Sequence, residues 1–367
     1  MRLLFVCPDV RTGGAERHWA TLIPALRDRG VEAGVVCLTS EGAFFDELVE
    51  RGVPAVCLHM RGRLDARGLR RALGFAQPSP DAVVTRGVSG QLVGAAMARR
   101  AGASHVLNEH TPLRPDGRLV APHPHQRALT RLVAPRVHAV IAVTGRQVEP
   151  LAALGYRRER IEVVANGVFR DDRSEPGPPS RTGFTALCVA GLRPEKRVDV
   201  FIRALAAARR SNPEVRGLVA GEGPERERLA KLAAGTGVEL VGVRSDVPTL
   251  MREAHAVALT SEAEALPMSI LEAMTLARPV VATDVGGVRE AVVDAETGFV
   301  VAPGDEQGVA QALLALAADP ERAARMGAAG RRRQRERFDG DAMVEGYLEA
   351  LERIVAALQG QLGAVRR

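Results

Sequence analysis

The sequence predicts an α/β protein made of two doubly wound parallel-sheet domains in tandem. Three observations predict it. At 367 residues the chain is too long for one small compact core. Short β-branched runs alternate along it with longer segments of helical period, the signature of repeated βαβ units. The alternation stops once, at Asp171-Asp-Arg-Ser-Glu-Pro-Gly-Pro-Pro-Ser180, which has nothing to bury, and then restarts. The expected organisation is an N-terminal domain over 1–170, a linker over 171–182, a second domain over 183–338, and a C-terminal helix over 339–367 packing back on the first domain.

In chain order, Leu3 to Cys7 reads as a buried strand. Trp19, Leu22, Ile23 and Leu26 then fall at i, i+3, i+4 and i+7, one apolar helix face. Further strands are expected at 33–38, 55–58, 82–85, 105–108, 139–143 and 161–164, with helical stretches such as 91–101 between them. Beyond the linker they are expected at 186–190, 217–220, 238–241, 256–260, 280–283 and 298–301. From Gln307 onward the pattern is helical, with breaks near Asp319-Pro320 and Asp339-Gly340. Parallel sheets of this kind bind ligands at the carboxyl ends of their strands, so the chemistry is expected in a cleft between the two domains.

Composition narrows the function classes. Apolar residues at 46% and charged residues at 26% suit a globular interior rather than disorder. The four cysteines, Cys7, Cys37, Cys57 and Cys188, form no C-x-x-C pair, so neither a disulfide framework nor a zinc site is suggested, and a reducing cytoplasm fits. The apolar run at the N-terminus is too short for a signal peptide, and no run is long enough to span a membrane. The net charge of +6 sits in the front half, densest at Arg61, Arg63, Arg67, Arg70 and Arg71. Such a face suits an anionic membrane surface or a charged acceptor. With aromatics at 3%, base-stacking platforms lack material, and nucleic acid is not expected as a partner.

Four stretches carry candidate chemistry. Gly13 and Gly14 sit where the first helix begins, so a phosphate could approach the backbone and the positive end of the helix dipole. There is no G-x-G-x-x-G and no G-x-x-x-x-G-K-[ST], which removes the dinucleotide and P-loop fingerprints. The richest stretch is Ser261-Glu-Ala-Glu-Ala-Leu-Pro-Met-Ser-Ile-Leu-Glu-Ala-Met274, where Leu266 and Pro267 lead into a helix over 268–276. Glu264 then lies in the preceding loop and Glu272 in the helix's second turn. Eight helical residues span about 12 Å, similar to the reach from a sugar across a diphosphate to a ribose. One carboxylate could hold each end, with helix-start N–H groups between them for the phosphates. Arg193 and Lys196 follow the first strand of the second domain and could neutralise a departing diphosphate. His110, directly after a strand of the first domain, could contact a sugar at its reacting carbon. Asp339-Gly-Asp341 imitates a metal motif but falls between terminal helices, and His123-Pro-His125 reads as a loop; no metal site is assigned.

Together these features resemble the GT-B glycosyltransferases of family 4, retaining enzymes that use nucleotide-activated sugars. The resemblance rests on Gly13-Gly14-Ala15-Glu16, the His110 turn, Asn166-Gly167-Val168, the Arg193/Lys196 loop and Gly221-Glu-Gly-Pro224. It is completed by Glu264-x7-Glu272, by Gly286-Gly287 with Glu290, and by Gly298-Phe299. It implies two Rossmann-like domains facing across a cleft, with Gly13 and Gly14 near the donor phosphate. Arg193 and Lys196 would bind the diphosphate, Glu272 the ribose and Glu264 the donor sugar, with Leu266 and Pro267 also lining the donor site. His110 would meet the sugar near its anomeric carbon. The chain departs from the pattern at Gly191, where many members carry the arginine five residues before the lysine, and at Ala265, where glycine is commonest.

The implied reaction is hexosyl transfer from a UDP- or GDP-sugar, needing no cofactor or metal, to a carbohydrate, lipid-linked or small-molecule acceptor. The implied location is the cytoplasm, with peripheral membrane association through the Arg-rich domain. Two alternatives stand beside it: a non-hydrolysing sugar-nucleotide epimerase, and a non-catalytic basic protein binding membrane or polymer. The Glu264/Glu272 pattern argues against the first, and the intact site residues against the second.

Overall fold

A computed structural model describes residues 1–10, 13–62, 65–75, 78–120, 124–169 and 176–365. The chain divides into two compact units. Unit 1 comprises Met1–His110, Ala121–Ala165 and Ala342–Arg367; unit 2 comprises Thr111–Val120 and Asn166–Asp341. Chain order alone does not separate them: the segment 111–120 packs with unit 2, and the last helix packs with unit 1.

Unit 1 is built on strands β1 (Arg2–Asp9), β2 (Glu32–Ser40), β3 (Ala55–Cys57), β4 (Ala82–Thr85), β5 (Ser104–Glu109), β6 (Ala139–Ala142) and β7 (Ile161–Val163). They form one parallel sheet in the order β3-β2-β1-β4-β5-β6-β7. The central strands β4 and β6 are buried along their whole length, as continuous apolar runs covered on both faces should be. The helix Gly14–Asp28 lays Trp19, Leu22, Ile23 and Leu26 into the core, where Trp19 meets Phe5 edge-on at 5.1 Å. The helix Gly87–Ala101 packs Val93 and Met97 against Val6, Val36 and Val83.

Unit 2 repeats the scheme with β8 (Phe184–Val189), β9 (Val215–Ala220), β10 (Val238–Gly242), β11 (Ala256–Leu259), β12 (Val280–Thr283) and β13 (Gly298–Val301), in the order β10-β9-β8-β11-β12-β13. The helix Val198–Ser211 buries Phe201 and Leu205 against the sheet, beside Leu313 and Leu316 of the helix Glu306–Ala318. The fold class read from the sequence is the one observed, and each expected strand lies within two residues of an observed one. In each sheet the chain order reverses at one place, between β1 and β4 in unit 1 and between β8 and β11 in unit 2. In open parallel sheets such a reversal is where the loops leaving the carboxyl ends of the strands diverge and ligands bind.

The terminal helices start where the sequence breaks. Asp319 caps Pro320–Arg337 through the Arg322 N–H, and Asp339 accepts from the Asp341 N–H at the start of Gly340–Val365. Of the linker, 171–175 lie outside the described residues, and 176–182 carry no helix or strand. Arg63 and His123 also lie outside them. Pro124 opens the helix Pro124–Val133, which corrects the loop reading at His125. Among the described residues no helix is long and apolar enough to cross a membrane.

Candidate active site

In unit 2 the loops after β8 and β11 flank the strand-order reversal, and they carry the residues that the sequence singled out. The loop after β8 ends in one 3-10 turn, Pro194–Lys196, and Arg197 then takes a left-handed backbone conformation, φ 45°, before the helix Val198–Ser211. Non-glycine residues seldom adopt that conformation. Here it is held from both sides. Arg197 donates to Glu262 at 2.7 Å and to Asp199 at 3.1 Å, and its carbonyl accepts from the Thr260 hydroxyl at 2.9 Å. The Glu262 N–H donates to the Glu195 carbonyl at 2.8 Å, so the two loops are laced together on both sides of Lys196.

The lacing brings the Lys196 ammonium to 2.7 Å from Glu264 Oε1, and the Ser261 hydroxyl donates to the same oxygen at 2.6 Å. The pair is mostly enclosed, with 16% of the lysine and 8% of the glutamate side chain exposed, so solvent screens it little. Ser261 is itself placed from behind, its carbonyl accepting from the Thr283 hydroxyl at 2.7 Å. Ser261 and Glu264 do not form a helix-capping box, because helical geometry begins only at Met268.

The backbone of Glu264 is fixed as firmly as its carboxylate. Leu113 and Glu264 exchange main-chain hydrogen bonds, 2.7 and 3.2 Å, as a short antiparallel bridge. The Leu266 carbonyl accepts from the Asn166 amide at 2.8 Å, and the Ala265 carbonyl from the Gly287 N–H at 2.6 Å. Glu272 follows in the helix Met268–Thr275, half-buried while its neighbours Leu271 and Ala273 face the core. The 12 Å span needs correction: residues 264–267 are not helical, so half of the eight-residue spacing follows no helical rise.

Arg193 stands apart from the Lys196–Glu264 pair. It ion-pairs with Glu195 at 2.9 Å, more than half exposed. Its Nε lies 3.8 Å from the place where a Cβ on Gly191 would sit, so the guanidinium reaches the space that an arginine at 191 would start from.

In unit 1 the counterpart loops bear Gly13, Gly14, Arg86 and His110. Gly13 is extended, φ 172°, so no left-handed turn calls for glycine there; instead a Cβ would lie 2.2 Å from Glu16 Oε2. Glu16 is tied to Arg86 at 3.1 Å, and Arg86 lies over the Trp19 ring and donates to the Asp9 carbonyl. His110 belongs to a buried polar network centred on Asn108. Trp19 can only donate, and its N–H meets Asn108 Oδ1 at 2.6 Å, which fixes the amide orientation. His110 Nε2 lies 3.0 Å from the same oxygen and must therefore carry its proton there. The Asn108 amide donates to the Tyr347 hydroxyl at 2.7 Å, which lies 3.1 Å from His18 Nε2. Burial first, then His18 and Arg86, hold His110 well below the usual histidine range, so its imidazole is neutral at pH 7.

Two other histidines share that condition. Burial lowers His18 to about 3, assisted by Arg86, and His105 to about 4, assisted by His138. In the unfolded chain all three titrate near 6.5. The unfolded chain therefore binds more protons below pH 6.5, and the stability present above that value is lost as pH falls toward the folded values. Trp19 is the chain's one tryptophan and lies fully buried in unit 1, so its fluorescence reports unfolding of that unit. Denaturant titrations should show a loss of roughly 1 kcal/mol per histidine between pH 7.5 and 5.5. Equal midpoints at the two pH values would contradict this.

Sequence reasoning singled out Glu264, Glu272, Lys196 and His110 but not Ser261, Arg197, Leu113, Asn108 and Tyr347, which fix the surroundings of Glu264, Lys196 and His110. The available signals were weak: polar Asn108 in an otherwise apolar strand, and a serine three residues before Glu264.

Comparison with known proteins gives the family and the fold. The family model for glycosyl transferases group 1 matches residues 170–333, and that for glycosyltransferase family 4 matches 12–171. Over 346 residues the chain is 30% identical to D-inositol 3-phosphate glycosyltransferase of Frankia alni, covering 85% of this chain and 81% of that one. It is 37% identical over 183 residues to alpha-D-kanosaminyltransferase of Streptomyces kanamyceticus, covering 46% and 47%. Several curated relatives are thus matched over about half of their length or less. Among solved structures, Anabaena HepE in complex with UDP-glucose superposes with a TM-score of 0.81 at 24% identity, over 96% of this chain and 100% of that one. With both family models matched in tandem on two doubly wound units, this chain belongs to the family 4, group 1 glycosyltransferases of GT-B fold.

Proposed function

We propose that this protein transfers a hexosyl group from a UDP- or GDP-sugar to a hydroxyl of a carbohydrate, lipid-linked or small-molecule acceptor, with retention at the anomeric carbon. The observation that carries the reading is the convergence of Lys196 and Ser261 on one oxygen of Glu264, at the strand-order reversal of unit 2. A cation and a carboxylate held rigidly together suit a substrate that is anionic at one end and rich in hydroxyls at the other.

In this reading Lys196 and Arg193 neutralise the diphosphate, and Arg193 takes the part of an arginine at 191. Glu272 hydrogen-bonds the ribose, and the backbone around Leu266 and Pro267 lines the donor site. Glu264 binds the sugar hydroxyls through the carboxylate oxygen that Lys196 and Ser261 leave open. In unit 1, Gly13 and Gly14 approach the donor phosphate, and neutral His110 is a hydrogen-bonding partner of the sugar. The bond from the anomeric carbon to the phosphate oxygen breaks, and the acceptor oxygen bonds to that carbon from the same face. The acceptor's proton passes to the departing phosphate, and a nucleoside diphosphate is released. The charge growing on the leaving group is the main electrostatic demand, and two side-chain cations meet it. The exposed Arg61, Arg67, Arg70 and Arg71 suit peripheral binding to an anionic membrane or a charged acceptor.

The test is incubation with a panel of nucleotide sugars, measuring nucleoside diphosphate with and without candidate acceptors, and the product's anomeric configuration by NMR. Acceptor-dependent release with retained configuration is expected. Epimerised donor, inverted product, or no turnover with any pair would overturn the reading.

A further inference from the structure

The carboxyl edge of the unit 1 sheet holds a second cluster that donor chemistry leaves unused. Strands β2 and β3 pair in register, with Cys37 opposite Cys57, so the residues just past their ends are neighbours. Glu41 follows β2, and Cys57 and His59 stand at and beyond the end of β3. Cys57 Sγ lies 3.5 Å from His59 Nδ1, and His59 Nε2 lies 3.7 Å from Glu41 Oε1. One ligand atom from each of the three residues fits within 4.8 Å of the others.

Two features make this more than a chance meeting of surface groups. His59 is held at φ 45°, a left-handed conformation costly for a residue with a Cβ, and strained residues of this kind concentrate at functional sites. The sulfur–nitrogen separation also fits a shared metal. Bonds of about 2.3 Å to sulfur and about 2.0 Å to nitrogen, at a tetrahedral angle, place those two atoms roughly 3.5 Å apart. Glu41 rests against the other ring nitrogen and is half exposed, so rotation of its side chain completes the set.

We propose that Glu41, Cys57 and His59 form a three-ligand site for a zinc-class divalent cation, with a fourth position open to water or a small ligand. A thiolate, an imidazole and a carboxylate make a donor set of mixed softness, which selects zinc or its congeners over magnesium and calcium. The bound ion cross-links the loops leaving β2 and β3. The sequence hid the site because its cysteine has no C-x-x-C partner and its carboxylate comes from the neighbouring strand.

The untagged protein, stripped with chelator, is titrated with Co²⁺ and followed by absorption. One ion per chain is expected, with a near-ultraviolet thiolate charge-transfer band and tetrahedral visible bands, all displaced by Zn²⁺. Cys57→Ser should abolish the charge-transfer band, and His59→Gln should weaken Co²⁺ binding at least about tenfold. The other three cysteines are buried, so the band has one accessible source. A purely octahedral spectrum, no charge-transfer band at one equivalent, or a band that survives Cys57→Ser would each overturn the assignment.

Discussion

Lys196→Ala is expected to lower sugar transfer by about 10²–10³-fold, with kcat reduced and the donor KM raised together. The ammonium is proposed to face a diphosphate whose charge grows as the glycosidic bond breaks, so it binds the transition state more tightly than the ground state. Its loss also leaves Glu264 as a buried carboxylate supported by the Ser261 hydroxyl alone. Glu264→Gln separates these effects. The amide oxygen can still accept from Ser261 and Lys196, so the loop should keep its shape and the far-ultraviolet dichroism should not change. Transfer should nonetheless be lost, because the charged acceptor for the sugar hydroxyls is gone. Steady-state kinetics with a donor found active in the panel decide both. Unchanged kinetics for Lys196→Ala remove that residue from the site, and near-wild-type transfer by Glu264→Gln removes the role given to the carboxylate.

What the sequence made legible and what it concealed divide along a physical line. Strands and helices are written in local periodicity, and short apolar runs such as the buried Val280–Thr283 and the half-buried Gly298–Val301 were legible to the residue. The loops bearing Lys196 and Glu264 were legible too, because a strand end followed by glycine, proline and charge marks a turn at the binding edge of a parallel sheet. The partners that fix those side chains were not. Asn108 meets Tyr347 from 239 residues away, and Leu113 bridges Glu264 from another part of the chain. No local pattern encodes such pairings; they exist only once the sheets have formed. The placement of 111–120 in unit 2 has the same cause: Arg114, Gly117 and Val120 bond within the segment, but the Leu113 backbone is paired with Glu264.

Gly286→Ala should be as damaging as removing a catalytic group, although residue 286 has no side chain to contribute. Its backbone is left-handed, φ 49°, which costs alanine about 1–2 kcal/mol. The larger cost is steric: a Cβ there would lie 1.8 Å from the Glu264 carbonyl oxygen and 2.6 Å from its carbonyl carbon. These are backbone atoms, so relief requires moving the segment that carries the Glu264 carboxylate and the Gly287–Ala265 hydrogen bond. A displacement near 1 Å at a reacting centre costs on the order of 10²-fold in rate. Gly304→Ala is the matched control. Gly304 also belongs to unit 2 and has φ 80°, but nothing lies within 4 Å of its Cβ position, so alanine there meets backbone strain alone. Calorimetry should place Gly304→Ala about 1 kcal/mol below wild type with transfer intact, and Gly286→Ala at least about 3 kcal/mol below with transfer down by about 10²-fold. If the two variants melt and turn over alike, the tight approach of the 286–287 backbone to Glu264 is not what holds the carboxylate in place.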